Sequence, residues 1–241
     1  MLITTRAIVL KSVKFGDAKL IIDMFTQTHG RMSFIVNIAK TNKGKIKRQY
    51  FQLFNVLELV VDYRNGKELQ HIRDIRLAGQ FPAISLSPGK LSITMFLGEF
   101  LNYATMGEQA NVPLFEFICS AMEWLDASAS GYVNFHLVFM AKLSRFIGLY
   151  PNVESYAEGD VFDLRSATFT HTIPMHPDYV PAVASSNIVR LLRMDFSNMH
   201  LFAMSHSDRN SIVDFMVDYY RIHLPVMPAL VSLDVVRDVF R

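Results

Sequence analysis

Residues 31–63 hold an apolar strand, a basic loop and a second apolar strand, and this order decides the fold. The first strand reads Arg31-Met32-Ser33-Phe34-Ile35-Val36-Asn37-Ile38, the loop Lys40-Thr41-Asn42-Lys43-Gly44-Lys45-Ile46-Lys47-Arg48, and the second strand Val56-Leu57-Glu58-Leu59-Val60-Val61-Asp62-Tyr63. Met32, Phe34, Val36 and Ile38 alternate with Arg31, Ser33, Ile35 and Asn37, the period of a strand with one buried face. Leu57, Leu59, Val61 and Tyr63 do the same against Val56, Glu58, Val60 and Asp62. The loop holds five cations and no acid. Slung between two apolar strands it cannot be core, so it faces solvent or a polyanion.

Upstream, Ala7 to Val13 is rich in β-formers. Phe15-Gly16-Asp17 is a turn signal, Lys19 to Phe25 alternates again, and His29-Gly30 makes the next turn. Downstream, Asn65-Gly66 predicts a type I′ hairpin, whose two central residues both need φ > 0. Leu69 to Leu77 returns with broken alternation, which predicts a bulge. Five antiparallel strands in eighty residues suit a small closed barrel without exposed edges. The oligonucleotide-binding (OB) barrel is one such form and the SH3-like barrel its structural rival. Tyr50, Phe51 and Phe54 follow the basic loop. Tyr50 beside a cationic groove either stacks a base or joins the core.

The charge is divided along the chain. Residues 1–80 carry 14 Lys/Arg against 6 Asp/Glu, a net of +8, and residues 81–241 carry 10 against 16, a net of −6. The basic part is expected to meet nucleic acid or a membrane surface, and the acidic part to do another job. With 51% apolar residues in 241, a sizeable core is expected. One cysteine, Cys119, excludes an intrachain disulfide and a Cys-rich zinc module. The N-terminus lacks the layout of a secretory signal, and no apolar run approaches the ~20 residues of a membrane span.

After Phe81-Pro82 and Ser87-Pro88 the period becomes helical. Helices are predicted from Pro88 to about Met106 with Ser87 as cap, Asn111 to Ala127, and Tyr132 to Leu149, forming a bundle. Pro151 to Pro181 is an insert with β-like pieces at Val161-Phe162 and Thr168 to Ile173. A short helix runs from Ser185/Ser186 to Met194. A long one, capped by Ser207, ends before Pro225. The fold class is α+β, β then α: an OB-like barrel domain over 1–80 and a helical domain over 81–241 with an insert at about 151–181. No nucleophile elbow, phosphate loop, dinucleotide fingerprint or His-Glu-x-x-His is present, so no enzyme is expected. Cys119 sits mid-helix as an inert thiol.

Ala7-Ile8-Val9-Leu10-Lys11, Phe25-Thr26, His29-Gly30-Arg31 and the Lys/Arg-rich loop before Leu57-Glu58-Leu59 resemble the N-terminal barrel of the bacterial RecO family of recombination mediators. Arg209, Tyr219-Tyr220 with His223-Leu224, and Ser232-Leu233 are similar to the family's C-terminal helix signature. Asp17 stands where the family more often has Glu, and the Pro common before the fourth strand is replaced by Gln52-Leu53-Phe54. Many members carry two Cys-x-x-Cys pairs in the insert. Here 151–181 has no cysteine, so no zinc is expected in its usual form and the insert is expected to be held by packing, with Phe162 and Tyr179. His171 and His176, five apart, lack further ligands, and no metal or other cofactor is expected.

The resemblance implies a cytoplasmic, nucleoid-associated mediator that binds single-stranded and partly duplex DNA. It implies strand annealing and help in loading the recombinase RecA onto strands covered by single-strand-binding protein. The expected DNA contacts are Arg31, Lys40, Lys43, Lys45, Lys47 and Arg48, with Lys11, Lys14 and Tyr50. The implied protein partners are RecR and the acidic C-terminal tail of single-strand-binding protein. Lys142, Arg145, Arg190, Arg193 and Arg221 are the cations available for that tail, or ordinary surface charge. No membrane and no small-molecule substrate are implied. The residues leave two other readings open: an RNA-binding or ribosome-associated OB-fold protein, and a scaffold whose basic face binds an acidic protein.

Overall fold

The computed structural model describes residues 1–38, 46–224 and 226–239. They form two compact units, 1–127 with 230–233, and 128–229 with the residues from 234 onward.

The first unit is built on five strands: β1 (Leu2–Phe15), β2 (Lys19–Thr26), β3 (Gly30–Asn37), β4 (Val56–Asp62) and β5 (Leu69–Gly79). They close into a barrel in the order β1-β2-β3-β5-β4. Each pairing is antiparallel except β3 with β5, where Ser33–Ile35 run parallel to Leu69–His71. This short parallel pair closes the sheet and removes its edges. The alternating residues read from the sequence do face inward: Leu20, Ile22, Met24, Met32, Phe34, Val36, Leu57, Leu59 and Val61 are all buried in one cluster. β1 begins five residues before the predicted Ala7, because Leu2–Ile8 pair with Val56–Asp62 of β4.

Bulges bend the barrel. On β1, Leu10 is the extra residue between the rungs Val9–Met24 and Lys11–Asp23. On β5, Arg73 and Ala78 are extra against β4, which accounts for the broken alternation there. The expected type I′ hairpin does not form. Gly66 has φ 76° but Asn65 has no positive φ, and residues 63–68 make a longer connection. Buried Gln70 pins it, donating to the carbonyls of Arg64 (2.9 Å) and Lys67 (2.7 Å) and accepting from Arg64 N (2.9 Å).

Three helices complete this unit: α1 (Pro82–Leu86), α2 (Pro88–Ala104) and α3 (Val112–Ala127). Ser87 caps α2 as expected, accepting from Lys90 N, with Pro88 at the first position. α2 packs on β1, and the approach is close. A Cβ on Gly98 would lie 2.6 Å from Leu53 Cδ1, and one on Gly30 would strike the backbone of Glu108 and Gln109. Phe25 stacks on Phe115 of α3 at 6.5 Å.

The second unit contains α4 (Phe135–Phe146), β6 (Val161–Asp163), β7 (Thr168–Thr170), β8 (Tyr179–Val180), α5 (Ala182–Leu192), α6 (His206–His223) and α7 (Leu233–Val239, from Asp234). α4 packs on α5 and α6, so the three predicted bundle helices divide, two with the barrel and one here. The cap of α6 is Ser205 and not Ser207. Ser205 accepts from Asp208 N at 3.0 Å while the Asp208 carboxylate accepts from Ser205 N at 3.2 Å, a reciprocal box that outcompetes a serine already inside the helix. Tyr219 and Tyr220 are buried, their hydroxyls donating to the carbonyls of Leu149 and Met140, both at 2.8 Å.

The insert is a small sheet in the order β7-β6-β8. Phe162 sits at its centre, edge-on to Phe169 (4.9 Å) and Phe215 (5.8 Å), and Tyr156 caps Phe169 at 4.8 Å. The two histidines face different aspartates, His171 contacting Asp160 and His176 lying 3.5 Å from Asp163.

Candidate nucleic-acid interface

Which barrel cations are available to an outside anion is decided by their neighbours. Four strand and loop arginines face carboxylates of their own unit. Arg6 meets Glu116 of α3 at 2.9 Å and lies 5.1 Å from the centre of the Phe115 ring. Arg64 and Arg73 share Asp62 at 3.2 and 3.4 Å, and Arg76 forks onto Glu58. The Arg64 hydrogen bond and the charges of Arg64 and Arg73 hold the Asp62 carboxyl below the ordinary range.

Arg31 is also engaged. Its side chain is only 10% exposed, placed 3.2 Å from Asp23 and donating to Asn102 of α2 at 2.6 Å, while its backbone N–H donates to Glu108 O at 2.9 Å. Its sequence neighbourhood placed it with the loop. Its surroundings make it a tie between the β2–β3 pair and α2, with its Nε and Nη1 buried and without a hydrogen-bond partner.

Lys11, Lys14, Lys19, Lys47, Arg48 and Lys67 make no ion pair among the described residues. Three of them converge. The β1–β2 turn and the end of β3 are joined by Ile38 N donating to Ala18 O at 2.8 Å. Beside this joint lies a groove of about 160 Å³ lined by Lys14, Asp17, Ala18, Lys19, Leu20, Ile38 and Arg48. Arg48 opens a 3-10 turn, Arg48–Phe51. Asn55, itself buried, fixes this turn by donating to the carbonyls of Gln49 (3.1 Å) and Tyr50 (3.2 Å). Phe51 is buried in the barrel core, and Tyr50 packs half-buried against it. Lys47 is exposed just before the turn. Lys40, Lys43 and Lys45 lie outside the described residues, in the segment that leaves from Ile38 and returns at Ile46. Lys11 is exposed further up β1, where its charge acts on Glu99 of α2. Burial pushes that carboxyl up, but hydrogen bonds from Ser232 and Val231, with Lys11, bring it below the ordinary range.

Two residues of this end were not singled out as contacts by the sequence. Lys19 is one cation of many in the sequence, and the fold sets it in one groove with Lys14 and Arg48. Phe15 read as punctuation beside Gly16, yet it is 53% exposed at the last rung of the β1–β2 pair, opposite Lys19. An aromatic directly before a turn glycine, flanked by Lys14 and Lys19, was the available signal.

The cations proposed for a protein tail are dispersed over the second unit. Lys142 and Arg145 share α4, and burial with the Arg145 charge lowers the Lys142 pKa. Arg145 lies 4.2 Å from the Tyr150 ring centre and donates to its hydroxyl at 2.6 Å. Arg190 donates to Ala203 O at 3.2 Å, Arg193 is exposed at the end of α5, and Arg221 lies 3.8 Å from Asp218. Burial pushes the Cys119 thiol up to about 12, as for an inert structural residue. No described helix is long and apolar enough to cross a membrane.

Comparison with known proteins places this geometry. The family described as Recombination protein O N terminal matches residues 1–81, and that described as Recombination protein O C terminal matches residues 86–229. The chain is 40% identical to the DNA repair protein RecO of Phocaeicola vulgatus and 39% identical to that of Bacteroides fragilis, each alignment covering 100% of both chains. It is 31% identical to the DNA repair protein RecO of Flavobacterium johnsoniae, again over 100% of both chains. With matches at both ends and along its full length, the chain belongs to the RecO family of recombination and DNA-repair proteins.

Proposed function

We propose that this protein is a non-enzymatic recombination mediator that holds single-stranded DNA at the β1–β2 end of its barrel and promotes annealing of complementary strands. One observation carries the reading. Arg6, Arg31, Arg64, Arg73 and Arg76 face carboxylates of their own unit, whereas Lys14, Lys19, Lys47 and Arg48 make no ion pair among the described residues, and Lys14, Lys19 and Arg48 line one groove beside Asp17. Cations left without internal counter-charges are those that gain most from a phosphate, because binding releases the counterions condensed on the nucleic acid. Lys40, Lys43 and Lys45 lie outside the described residues and stay in the proposed contact set on their sequence. In barrels of this topology the β2–β3 face and the β1–β2 loop are the usual oligonucleotide site.

Arg31 is left out of the proposed contact set, and Tyr50 is kept at its edge. Lys11 extends the set along β1. The finer steps follow from family membership: help in loading RecA onto strands covered by single-strand-binding protein, contact with RecR, and docking of the acidic tail of single-strand-binding protein. For that tail, Lys142 with Arg145 on α4 and Arg190 with Arg193 at the end of α5 are the pairs that lie close in the chain.

The test is annealing of complementary strands coated with cognate single-strand-binding protein, with and without this chain. Acceleration that disappears in a Lys14, Lys19, Lys47, Arg48→Ala variant is expected. Equal acceleration by wild type and variant would remove the barrel end from the function. An RNA competitor of equal length that displaces the DNA more effectively would move the reading to RNA.

A further inference from the structure

The β1–β2 hairpin carries an apolar surface where a solvated strand end would carry polar side chains. Phe15 and Val13 are 53% and 46% exposed. They lie two apart on β1 and so share a face. Their partners across the ladder are Lys19 and Ile21, which in turn face Asn37 and Ile35 on β3. Leu20 and Ile22 point the other way and are buried. The outward face is therefore two rows, Phe15–Lys19–Asn37 and Val13–Ile21–Ile35, about 10 Å wide across three strands. Helix α2 packs on β1 and its Glu99 feels the charge of Lys11, two residues before Val13, yet Val13 and Phe15 remain open beyond it.

Single exposed apolar residues are ordinary. This one is an aromatic on the last rung of the hairpin, facing the cation Lys19 across the ladder, which also lines the groove with Lys14 and Arg48. We propose that Phe15 is a stacking platform for one unpaired base, with Val13 and Ile21 as its apolar floor and Lys19 holding the adjoining phosphate. An aromatic with cations at its rim fits a nucleotide, which is apolar on its faces and anionic at its backbone. A duplex buries its base faces and offers this ring none. The platform therefore gives preference for single strands, which the cations alone do not supply. The inference rests on the DNA-binding reading above and adds the residue that selects unpaired DNA.

The experiment measures binding of fluorescein-labelled oligo-dT and of a duplex of equal length by anisotropy, for wild type, Phe15→Ala, Phe15→Trp and Lys14→Ala/Lys19→Ala. Phe15→Ala should weaken single-strand binding roughly 5- to 150-fold, leave duplex binding unchanged and keep the salt slope. Phe15→Trp should bind single strands at least as well as wild type, and the new indole should be quenched on binding. If Phe15→Ala binds single strands like wild type while the double Lys variant is weakened, the platform is wrong and the cationic site stands. If neither is weakened, the DNA reading itself fails. Equal weakening of single strand and duplex by Phe15→Ala would also overturn the proposal. Phe15 is exposed, and the unchanged salt slope with a quenched Phe15→Trp indole guards against a folding artefact.

Discussion

Replacing Lys14, Lys19, Lys47 and Arg48 together with Ala removes the cations that the barrel leaves without internal partners at its β1–β2 end. Each cation that neutralises a phosphate of a single strand contributes about 0.7 to the slope of log K against log salt, so four contribute about 2.8. A fourfold rise in salt then weakens wild type by about 50-fold more than the variant. The two affinities should converge as salt increases. Lys40, Lys43 and Lys45 lie outside the described residues and outside this count. The control is Arg64, Arg73 and Arg76→Ala, which removes three cations that face Asp62 and Glu58. Because those arginines are already neutralised, the slope should stay within about half a unit of wild type. The assay is anisotropy of a labelled oligo-dT over a salt series. A quadruple variant with the wild-type slope, or an arginine variant that loses more slope than the quadruple one, would refute the division into neutralised and available cations.

Gly30→Ala should destabilise the first unit by at least about 2 kcal/mol in urea unfolding, since φ is 67° and the new Cβ meets the backbone of Glu108 and Gln109. Gly16→Ala, at φ 63° with open space around it, should cost only about 1 kcal/mol, and equal losses at the two sites would contradict the close approach. Phe162→Ala should cost about 3–5 kcal/mol, because the insert is held by that ring, and a loss below 1 kcal/mol would mean another anchor. His136 is fully buried, and burial with the Arg209 charge pushes its pKa down to about 3. Between about 3 and the unfolded value near 6.5 the unfolded chain binds more protons, so stability is full above pH 6.5 and falls as pH drops through that window. At pH 5 the loss is on the order of 2 kcal/mol, and His136→Gln should remove that part of the pH dependence. Parallel losses in both proteins would exclude His136 as the source.

The barrel was legible where information is local. Leu20, Ile22 and Met24, or Leu57, Leu59 and Val61, announce an inward face by alternation alone. Ser87-Pro88 announces a helix start for the same reason. What was not legible depends on partners far along the chain. The parallel β3–β5 closure joins residues more than thirty apart, and β1 reaches Leu2 only because β4 is there to pair with it. Arg31 shares its strand with the residues leading to the basic loop, and only Asn102, 71 residues later, reveals it as a tie to α2. Asn65-Gly66 carries the composition of a tight hairpin, but Gln70 holds a wider connection. Ser207 and Ser205 differ in whether an acid stands three residues on, and Asp208 selects Ser205. At the candidate site, charge density in the sequence marked a basic stretch, and the fold alone showed which cations make no ion pair with a carboxylate among the described residues.

The central claim is that single-stranded DNA lies across the β1–β2 end of the barrel. Photo-crosslinking of a 4-thiothymidine oligonucleotide to the full chain, followed by mass-spectrometric mapping, tests it most directly. Crosslinks should fall within 11–21 and 46–50, with the segment between Ile38 and Ile46 labelled beside them. Crosslinks concentrated at Arg64, Arg73 and Arg76, or within 128–229, would contradict the account.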